Sequence, residues 1–214
     1  MSITHLILDA DETRYSPDTG LFRALKLRAR DFIVFKQNLT YDQVNQKITY
    51  YFQSYGSILT GLITEENINP EEFIAYVFDI PIEKYVSPNP KLHEVLQYHN
   101  NLKIVIFSDS PRNYIERLIK ILWIDTDIDV IFDRIFFNYL SKANPKTYQL
   151  VLDTLKVKGL ECLMADDKPT NLTIAKEFGM KTILISSDNE NKYPFIDHQI
   201  TKIHQIGKII DLYS

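Results

Sequence analysis

The chain has 214 residues, enough for one large hydrophobic core or for a core with a small second module. Hydrophobic residues make up 45% and charged residues 24%, as in ordinary globular domains, and the net charge is −4. Proteins that bind a nucleic-acid backbone are normally basic, so this balance argues against that class. The single cysteine, Cys162, cannot form an internal disulfide, and we expect a buried thiol.

The sequence also argues against a membrane protein. No charged-then-apolar leader opens it, and no apolar run approaches the roughly 20 residues that a membrane-spanning helix needs. We therefore expect a cytoplasmic protein. Neither a membrane nor a nucleic-acid polymer is an expected partner.

The first predicted element is a strand at residues 6–8, whose apolar residues fit a strand buried on both faces. Asp9 and Asp11 follow it, and side chains two positions apart point the same way in extended chain. Both should lie at the carboxyl end of the strand, where open parallel sheets bind ligands. A divalent cation, or a division of labour between nucleophile and acid–base, would explain two adjacent carboxylates. A loop that is acidic by chance explains this segment equally well.

The segment from residue 16 to residue 86 is predicted to be helical. Apolar residues early in the segment follow helical spacing, residues 40–43 form a capping box, and Asn69-Pro70 provides a cap and a first-turn proline. Gly56 and Gly61 would permit helices to approach each other closely. This segment is therefore a helical insertion between the first and second strands.

From residue 87 onward, strands and helices alternate. The predicted strands are residues 103–107, 134–137, 162–165 and 181–185, and a last helix is predicted around residues 203–212. Alternation of this kind indicates a parallel sheet covered by helices on both faces. The sequence therefore predicts an α/β fold with a Rossmann-like parallel sheet.

Polar residues follow several of these predicted elements and should converge at one edge of the sheet. They are Asp9 and Asp11, then Ser108 and Asp109 before a helix that Pro111 opens, then Lys142, and finally Asp166 and Asp167. Singly, each is more often a helix cap, a solvated lysine or an acidic loop. Together they suit phosphoryl transfer, with a carboxylate nucleophile, a Mg²⁺ site, and a hydroxyl and an ammonium group to neutralise phosphate oxygens.

The same residues resemble the four motifs of the haloacid dehalogenase (HAD) superfamily of phosphatases. The matching segments are residues 8–13, 106–108, 142–145 and 164–171, so the resemblance spans about residues 3–187. It is closest to the pyrimidine 5'-nucleotidase-like branch, because Asp-x-Asp-x-Thr-x-Tyr occurs together with segments 55–62 and 79–85. The resemblance implies a core domain of residues 1–15 and 87–214 and a small α-helical cap domain of residues 16–86.

The resemblance also implies roles for the individual residues of these motifs. Asp9 would be the nucleophile that forms an aspartyl-phosphate, and Asp11 would protonate the leaving group and then activate water. The cofactor would be Mg²⁺, held by Asp9, the backbone carbonyl of Asp11 and Asp167, with Asp166 behind them or reaching the metal through water. Ser108, Asp109 and Lys142 would hold the phosphate, with Lys142 bridging it to Asp9.

The implied reaction is phosphomonoester hydrolysis on a small metabolite, with a pyrimidine nucleoside 5'-monophosphate favoured, by a monomer or homodimer. A phosphatase for a sugar phosphate or another small phosphate stays open, as do a phosphomutase and a phosphoprotein phosphatase. A non-catalytic binding protein with this fold is disfavoured because the catalytic groups are all present. A dehalogenase is disfavoured because it would have no use for Asp11 or for the metal.

Some residues depart from the family pattern. Arg14 stands where a leucine is usual, and we expect its side chain to extend to solvent rather than to contact substrate. Ala143 replaces a common proline, and Asp166 stands where this branch often has glutamate. An aromatic cluster in the cap is expected to form its core rather than to stack on a base; it comprises Tyr50, Tyr51, Phe52 and Tyr55.

Overall fold

A computed structural model describes residues 2–11, 13–15, 17–188 and 193–213. Glu12, part of the first motif, lies outside these ranges. Within them, six strands form one parallel sheet in the order β3-β2-β1-β4-β5-β6. The strands are β1 His5–Leu8, β2 Lys103–Phe107, β3 Val130–Phe132, β4 Cys162–Asp166, β5 Lys181–Ile185 and β6 His198–Ile200. The predicted α/β class with a Rossmann-like parallel sheet is confirmed.

The described residues form nine α-helices. They are α1 Leu21–Gln37, α2 Tyr41–Tyr55, α3 Ile58–Glu66, α4 Pro70–Val77, α5 Pro90–Tyr98, α6 Arg112–Ile121, α7 Pro145–Leu155, α8 Pro169–Glu177 and α9 Ile206–Ile210. The capping box at Thr40 is present, and the Asn69 and Asn144 side chains accept hydrogen bonds from first-turn N–H groups. In the part of the chain that the structure describes, no helix has the length and apolar character to cross a membrane.

The register of the central strands determines where the site forms. Leu8 of β1 lies beside Ile106 of β2 and Ala165 of β4, so the three strands end at one level. The Asp9 N–H extends the ladder by donating to the Ala165 carbonyl at 3.0 Å. The residues that follow β1, β2 and β4 therefore emerge together at the carboxyl edge of the sheet.

Helices cover both faces of the sheet, because successive side chains along each strand point alternately into two apolar layers. One layer contains Leu8 and Ile106 and packs against α1–α6 and α9, while the other contains Ile7 and Val105 and packs against α7 and α8. Helices α1–α4 thus share a continuous core with one face of the sheet. The division into cap and core domains stays a prediction.

Gly61 permits close helix approach as expected, whereas Gly56 permits the close approach of a loop. At Gly61 of α3 an added Cβ would lie 2.4 Å from the Tyr51 ring of α2. At Gly56, which ends α2 with φ +68°, an added Cβ would lie 2.2 Å from the Ala143 side chain. Gly56 therefore brings the end of α2 against the loop that carries Lys142.

The predicted strand at 134–137 is wrong. The strand is β3, which ends at Phe132, and residues 134–139 form turns, with left-handed φ values of 50° at Asn138 and 64° at Tyr139. Phe137 is buried whereas Ile135 and Phe136 are exposed, so the apolar run does not reflect a strand buried on both faces. The last α-helix is also shorter than predicted, because residues 203–205 form a 3₁₀ turn.

Candidate active site

Asp9 lies directly after the central strand β1, and only 8% of its surface is exposed. Its Oδ1 accepts a hydrogen bond from the Lys142 ammonium group at 2.7 Å, and its Oδ2 accepts one from the Thr13 hydroxyl at 3.2 Å. A buried carboxylate needs such partners. Their contacts fix the orientation of Asp9 at the point where a nucleophile is expected.

Lys142 joins the carboxylates that follow two adjacent strands. Its Nζ lies 2.7 Å from Asp9 Oδ1 and 2.5 Å from Asp166 Oδ2, and the side chain is almost completely buried. Burial alone would lower the pKa of Lys142, but the charges of Asp166 and Asp9 raise it well above its ordinary value. The group is therefore a permanent cation at neutral pH.

Asp11 is held by three hydroxyl groups. Ser110 donates to its Oδ2 at 2.6 Å, and Tyr15 and Tyr114 each donate to its Oδ1 at 2.7 Å. Burial, and then the charge of Asp11, raise the pKa of both tyrosines far above their ordinary value, so both hydroxyls remain protonated donors. Asp11 thus has a fixed position beside Asp9 without a lysine or arginine bonded to it among the described residues.

Three of the four residues predicted to bind metal, all but Asp11, have their carboxylates close together. Single carboxylate oxygens of Asp9, Asp166 and Asp167 lie within 4.8 Å of one another. Asp166 is fully buried and already accepts hydrogen bonds from Asn171 at 3.0 and 3.1 Å, from the Lys168 N–H at 2.8 Å, and from Lys142. Both oxygens of Asp166 thus already have hydrogen-bond donors.

Asp167 has a strongly perturbed ionisation. Burial, and then the negative charges of Asp9 and Asp166, raise the pKa of Asp167 to about 8. Three crowded carboxylates with one lysine between two of them leave excess negative charge. A hard divalent cation with oxygen preference, such as Mg²⁺, fits this donor set.

The second strand contributes Ser108 and Asp109. Ser108 is buried, its N–H donates to the Phe132 carbonyl at 3.0 Å, and its hydroxyl accepts from the Ser110 N–H at 3.0 Å. The Asp109 carboxylate accepts from the Lys142 N–H at 2.9 Å. That carboxylate positions the Lys142 loop, so a phosphate contact at Asp109 is expected from its backbone N–H rather than from its side chain.

Arg134 is a site residue that sequence reasoning missed. Its buried guanidinium group donates to the Asp109 carbonyl through Nε and to Thr60 Oγ1 at 3.4 Å, and it lies 3.6 Å from the Asp109 carboxylate. The residue follows β3 in a turn, and no motif spacing marks it. Ser110 and Lys168 were missed as well, although both flank predicted site residues.

A cavity of about 120 Å³ lies between these groups and helices α1–α4. Asp9, Asp11, Ser108 and Lys142 line the side at the end of the sheet. Apolar side chains from the helices line the other side, namely Phe22, Leu25, Phe52, Ile58, Leu59, Phe73, Val77 and Phe78. The cavity therefore combines a charged reaction centre with an apolar, aromatic surface.

The expectation that Arg14 extends to solvent is wrong. The side chain is fully buried, its Nε donates to the Ala10 carbonyl at 3.5 Å, and its two terminal nitrogens have no hydrogen-bond partner among the described residues. Burial lowers the pKa of Arg14, and the charges of Asp9 and Asp11 oppose that effect. Arg14 does not line the cavity next to Asp9.

The cap aromatic cluster divides between two roles. Tyr51 is buried, and its hydroxyl donates to Glu66, as expected for cap core. Tyr50 and Tyr55 both donate to Glu65 of α3, while Phe52 lines the cavity. Among these four rings, Phe52 is therefore the one placed to face a bound molecule.

The sheet is parallel, and its central strand is followed by an aspartate that is paired with a lysine and lies beside further aspartates. This combination of fold and site is typical of hydrolases of one class. The model of the haloacid dehalogenase-like hydrolase family matches residues 3–179. The chain belongs to this family.

The chain is also similar to several named proteins. Phosphate metabolism protein 8 of Saccharomyces cerevisiae is 25% identical over 218 residues, covering 87% of this chain and 67% of the yeast protein. A HAD phosphatase from Thermococcus onnurineus superposes with a TM-score of 0.65 at 20% identity, covering 97% of this chain and 98% of that one. The L-2-haloacid dehalogenase from Xanthobacter autotrophicus gives 0.62 at 13% identity, covering 99% and 100%. The structural matches show the fold alone.

Proposed function

We propose that the chain is a Mg²⁺-dependent phosphomonoester hydrolase that works through an aspartyl-phosphate on Asp9. The observation that carries the proposal is the placement of Asp9 beside Lys142 and close to the carboxylates of Asp166 and Asp167, with Asp11 lining the same cavity. A nucleophile, a cation, a carboxylate site for metal and an acid–base group thus meet at one end of the cavity. Such a set is what phosphoryl transfer requires.

In the first step, an Asp9 oxygen attacks phosphorus while the ester bond to the leaving oxygen breaks. Asp11 gives a proton to that oxygen, so an alcohol leaves and the phosphoryl group stays on Asp9. Lys142 and the N–H groups after Ser108 neutralise the phosphate oxygens, which gain charge at the transition state. The hydroxyls of Ser110, Tyr15 and Tyr114 hold Asp11 in the position for this transfer.

In the second step, water attacks the phosphoryl group and releases Asp9. Asp11, now a carboxylate, removes a proton from that water. The bond between phosphorus and the Asp9 oxygen breaks, and inorganic phosphate leaves. The enzyme then has its initial charges, with Asp11 carrying the proton needed for the next cycle.

Asp9 and Asp167 would hold the metal directly, with Asp166 behind them, and the Asp11 carbonyl is proposed as a further ligand. When bound, Mg²⁺ offsets the negative charge that the carboxylates and the phosphate bring to one place. Lys142 cannot do so alone, because its ammonium group is already shared by Asp9 and Asp166.

For the substrate, we infer a small metabolite, with a pyrimidine nucleoside 5'-monophosphate as the first candidate. The motif resemblance to the pyrimidine 5'-nucleotidase-like branch and the aromatic lining of the cavity support this choice. A cytoplasmic monomer or homodimer fits such a substrate.

Dehalogenation is the other chemistry found among proteins of similar fold. The three hydroxyl contacts that fix Asp11 favour phosphomonoester hydrolysis, because a displacement of halide needs no proton on the leaving group. A sugar phosphate remains the alternative substrate class. A non-catalytic binding role would leave the positioning of Asp9 and Asp11 without a purpose.

The test measures phosphate release from UMP, CMP, AMP, GMP, several sugar phosphates and an aryl phosphate, with Mg²⁺ and with a chelator. We expect Asp9→Asn to lower kcat by at least about 10⁴-fold, because the amide cannot form the intermediate. Thr154→Ala, a change at an exposed position of α7 that does not line the cavity, serves as the matched purification control.

Hydrolysis that survives chelation, or that is unaffected by Asp9→Asn, would overturn the proposal. Hydrolysis of the aryl phosphate without hydrolysis of UMP or CMP would support phosphomonoester hydrolysis but would reject the nucleotidase assignment. Release of halide from 2-chloropropionate by the wild-type chain, without phosphatase activity, would replace phosphate hydrolysis by dehalogenation.

A further inference from the structure

Two lysines from different parts of the fold meet at one aromatic ring in the cavity. The Lys26 ammonium group of α1 lies 4.4 Å from the centre of the Phe22 ring, and that of Lys168, which precedes α8, lies 5.3 Å from it. Lys26 follows Phe22 by one helical turn, which places both on one face of α1. Phe22, Lys26 and Lys168 all line the cavity that contains Asp9.

Neither lysine has a carboxylate within ion-pair distance among the residues that the structure describes. The other two cations that line the cavity are both paired, Lys142 with Asp9 and Asp166, and Arg134 with Asp109. A cation over an aromatic ring gains a modest attraction, but the ring does not neutralise its charge. Neither ammonium group therefore has a direct ionic partner, although the charges of Asp9, Asp167 and Asp166 lie close enough to outweigh burial and raise the pKa of Lys168.

Both lysines line the cavity beside the reaction centre. Lys26 belongs to the helical segment and Lys168 immediately follows Asp167, so a molecule whose phosphate sits at Asp9 would pass beside both. An anion between the two lysines would accept two charge-assisted hydrogen bonds. Both side chains are exposed enough to move toward such an anion.

We propose that Lys26 and Lys168 bind a second anionic group of the substrate, a phosphate or a carboxylate on the leaving group. The inference rests on the proposed phosphatase function, and it moves substrates with a second anionic group ahead of the plain pyrimidine nucleoside 5'-monophosphate named above. Among nucleotides, it favours those with a further phosphate or a carboxylate over plain nucleoside 5'-monophosphates. Among smaller esters, it favours phosphorylated hydroxy acids over phosphorylated polyols.

The experiment compares matched pairs of substrates that differ by one anionic group. Uridine 3',5'-bisphosphate is paired with UMP to supply a second phosphate, and 3-phosphoglycerate with glycerol 3-phosphate to supply a carboxylate. We expect the wild-type KM to be about tenfold lower for the member with the second anion in at least one pair, the gain of one good charge-assisted contact. The pair that shows the preference identifies the anion.

Lys26→Met and Lys168→Met should each reduce that preference about fivefold or more, mainly through KM, because each removes one of the two charges. Lys36→Met is the matched control, since Lys36 lies on the same helix, also contacts a phenylalanine ring, and is ion-paired with Glu72 away from the cavity. Circular dichroism of each variant monitors folding.

Equal KM values within both pairs for the wild type would overturn the inference while leaving phosphatase activity established. A preference that survives both Lys26→Met and Lys168→Met would also overturn it, because the anion would then bind elsewhere. Absence of hydrolysis for every substrate would instead reject the proposed function on which the inference rests.

Discussion

Lys142 illustrates why single residues in this site cannot be considered apart from their neighbours. Its ammonium group neutralises carboxylates that follow β1 and β4, which are adjacent in the sheet but more than 150 residues apart in sequence. A lysine without these partners would not remain charged at such burial. The residue is therefore both an ionic link between two strands and the cation nearest to the expected nucleophile.

The raised pKa of Asp167 makes metal binding depend on pH. Because its pKa lies near 8, the carboxyl group of the metal-free protein is largely protonated at pH 7, and Mg²⁺ must displace that proton. We expect close to one proton released per Mg²⁺ bound at pH 7 and about none at pH 9.5, with apparent affinity rising by up to about tenfold per pH unit below pH 8. Calorimetric titration in buffers of different ionisation enthalpy measures the proton count.

The raised pKa of Asp167 also affects the stability of the folded protein. A carboxyl group whose pKa is raised in the folded state stabilises it fully only below the pKa of the unfolded chain, and this contribution is lost as the pH rises toward 8. The metal-free protein should thus lose stability between pH 4 and pH 8 at this group, and Asp167→Asn should remove that dependence. Metal binding without proton release at pH 7 would contradict the assignment of Asp167 as a ligand.

At the scale of residues, the positions of polar residues that directly follow a strand could be predicted from the sequence. Asp9, Ser108 and Asp166 could be placed at one edge because parallel strands end together. Arg134 could not, since its position depends on a turn with left-handed residues that apolar pattern does not reveal. The burial of Arg14 was equally hidden, because it depends on tertiary packing around a side chain that ordinarily reaches solvent.

At the scale of elements, helices with local start signals were predictable and short strands were not. Asn-Pro pairs begin α4, α5 and α7 because the cap and the first-turn proline act within a few residues. Strands β3 and β6 have three residues each, and their pairing with β2 and β5 is what defines them. Their sequences alone carry too little period-two pattern to be recognised.

The contact between α2 and the Lys142 loop gives a testable prediction at this scale. Gly56 has φ +68°, and a Cβ there would lie 2.2 Å from Ala143 Cβ and 3.1 Å from Ser141 Oγ. We expect Gly56→Ala to lose about 1–2 kcal/mol of unfolding free energy from its backbone conformation and about 1–3 kcal/mol more from the overlap. Phosphate release should also fall, because the overlap displaces the loop that carries Lys142.

Gly20→Ala is the matched control for that experiment. Gly20 also has a positive φ, +76°, but an added Cβ there meets nothing within 4 Å. Denaturant titration of both variants separates the backbone contribution, which they share, from the steric contribution, which Gly56→Ala alone should show. Equal losses of stability and unchanged activity in both variants would argue that the loop accommodates the methyl group.

At the scale of the whole molecule, Arg134 connects the helical segment to the sheet. Its guanidinium group contacts Asp109 after β2 and Thr60 of α3, and the Thr60 hydroxyl donates to the Tyr139 carbonyl at 3.0 Å. Asp109 in turn accepts from the Lys142 N–H. One buried side chain thus links a cap helix, the residue after Ser108 and the Lys142 loop.

We expect Arg134→Met to lower the free energy of unfolding by about 1–3 kcal/mol, because Asp109 and Thr60 lose a buried partner while Asp109 keeps partial access to water. Amide hydrogen exchange should become faster in α3 than in α5, since the link to the sheet is lost on the helical side. Phosphate release should decline as the Lys142 loop loosens.

The matched control is Arg112→Met, which removes a half-exposed guanidinium group from the same side of the sheet. Its ion pair with Glu116 is 3.8 Å long and solvated, so we expect a change of less than about 1 kcal/mol. If exchange in α3 is the same in both variants, Arg134 does not couple the helical segment to the sheet.

The short outer strands have a consequence for how the protein behaves at high concentration. The sheet ends at β3 and β6, each of three residues, and charged residues adjoin both, Asp129 before β3 and Lys202 after β6. A long, flat edge would present a row of free N–H and C=O groups on which another chain could assemble. The outer strands here are short and have charged residues nearby, so they offer few backbone groups for pairing. Folded molecules should therefore have little tendency to polymerise by adding strand to strand.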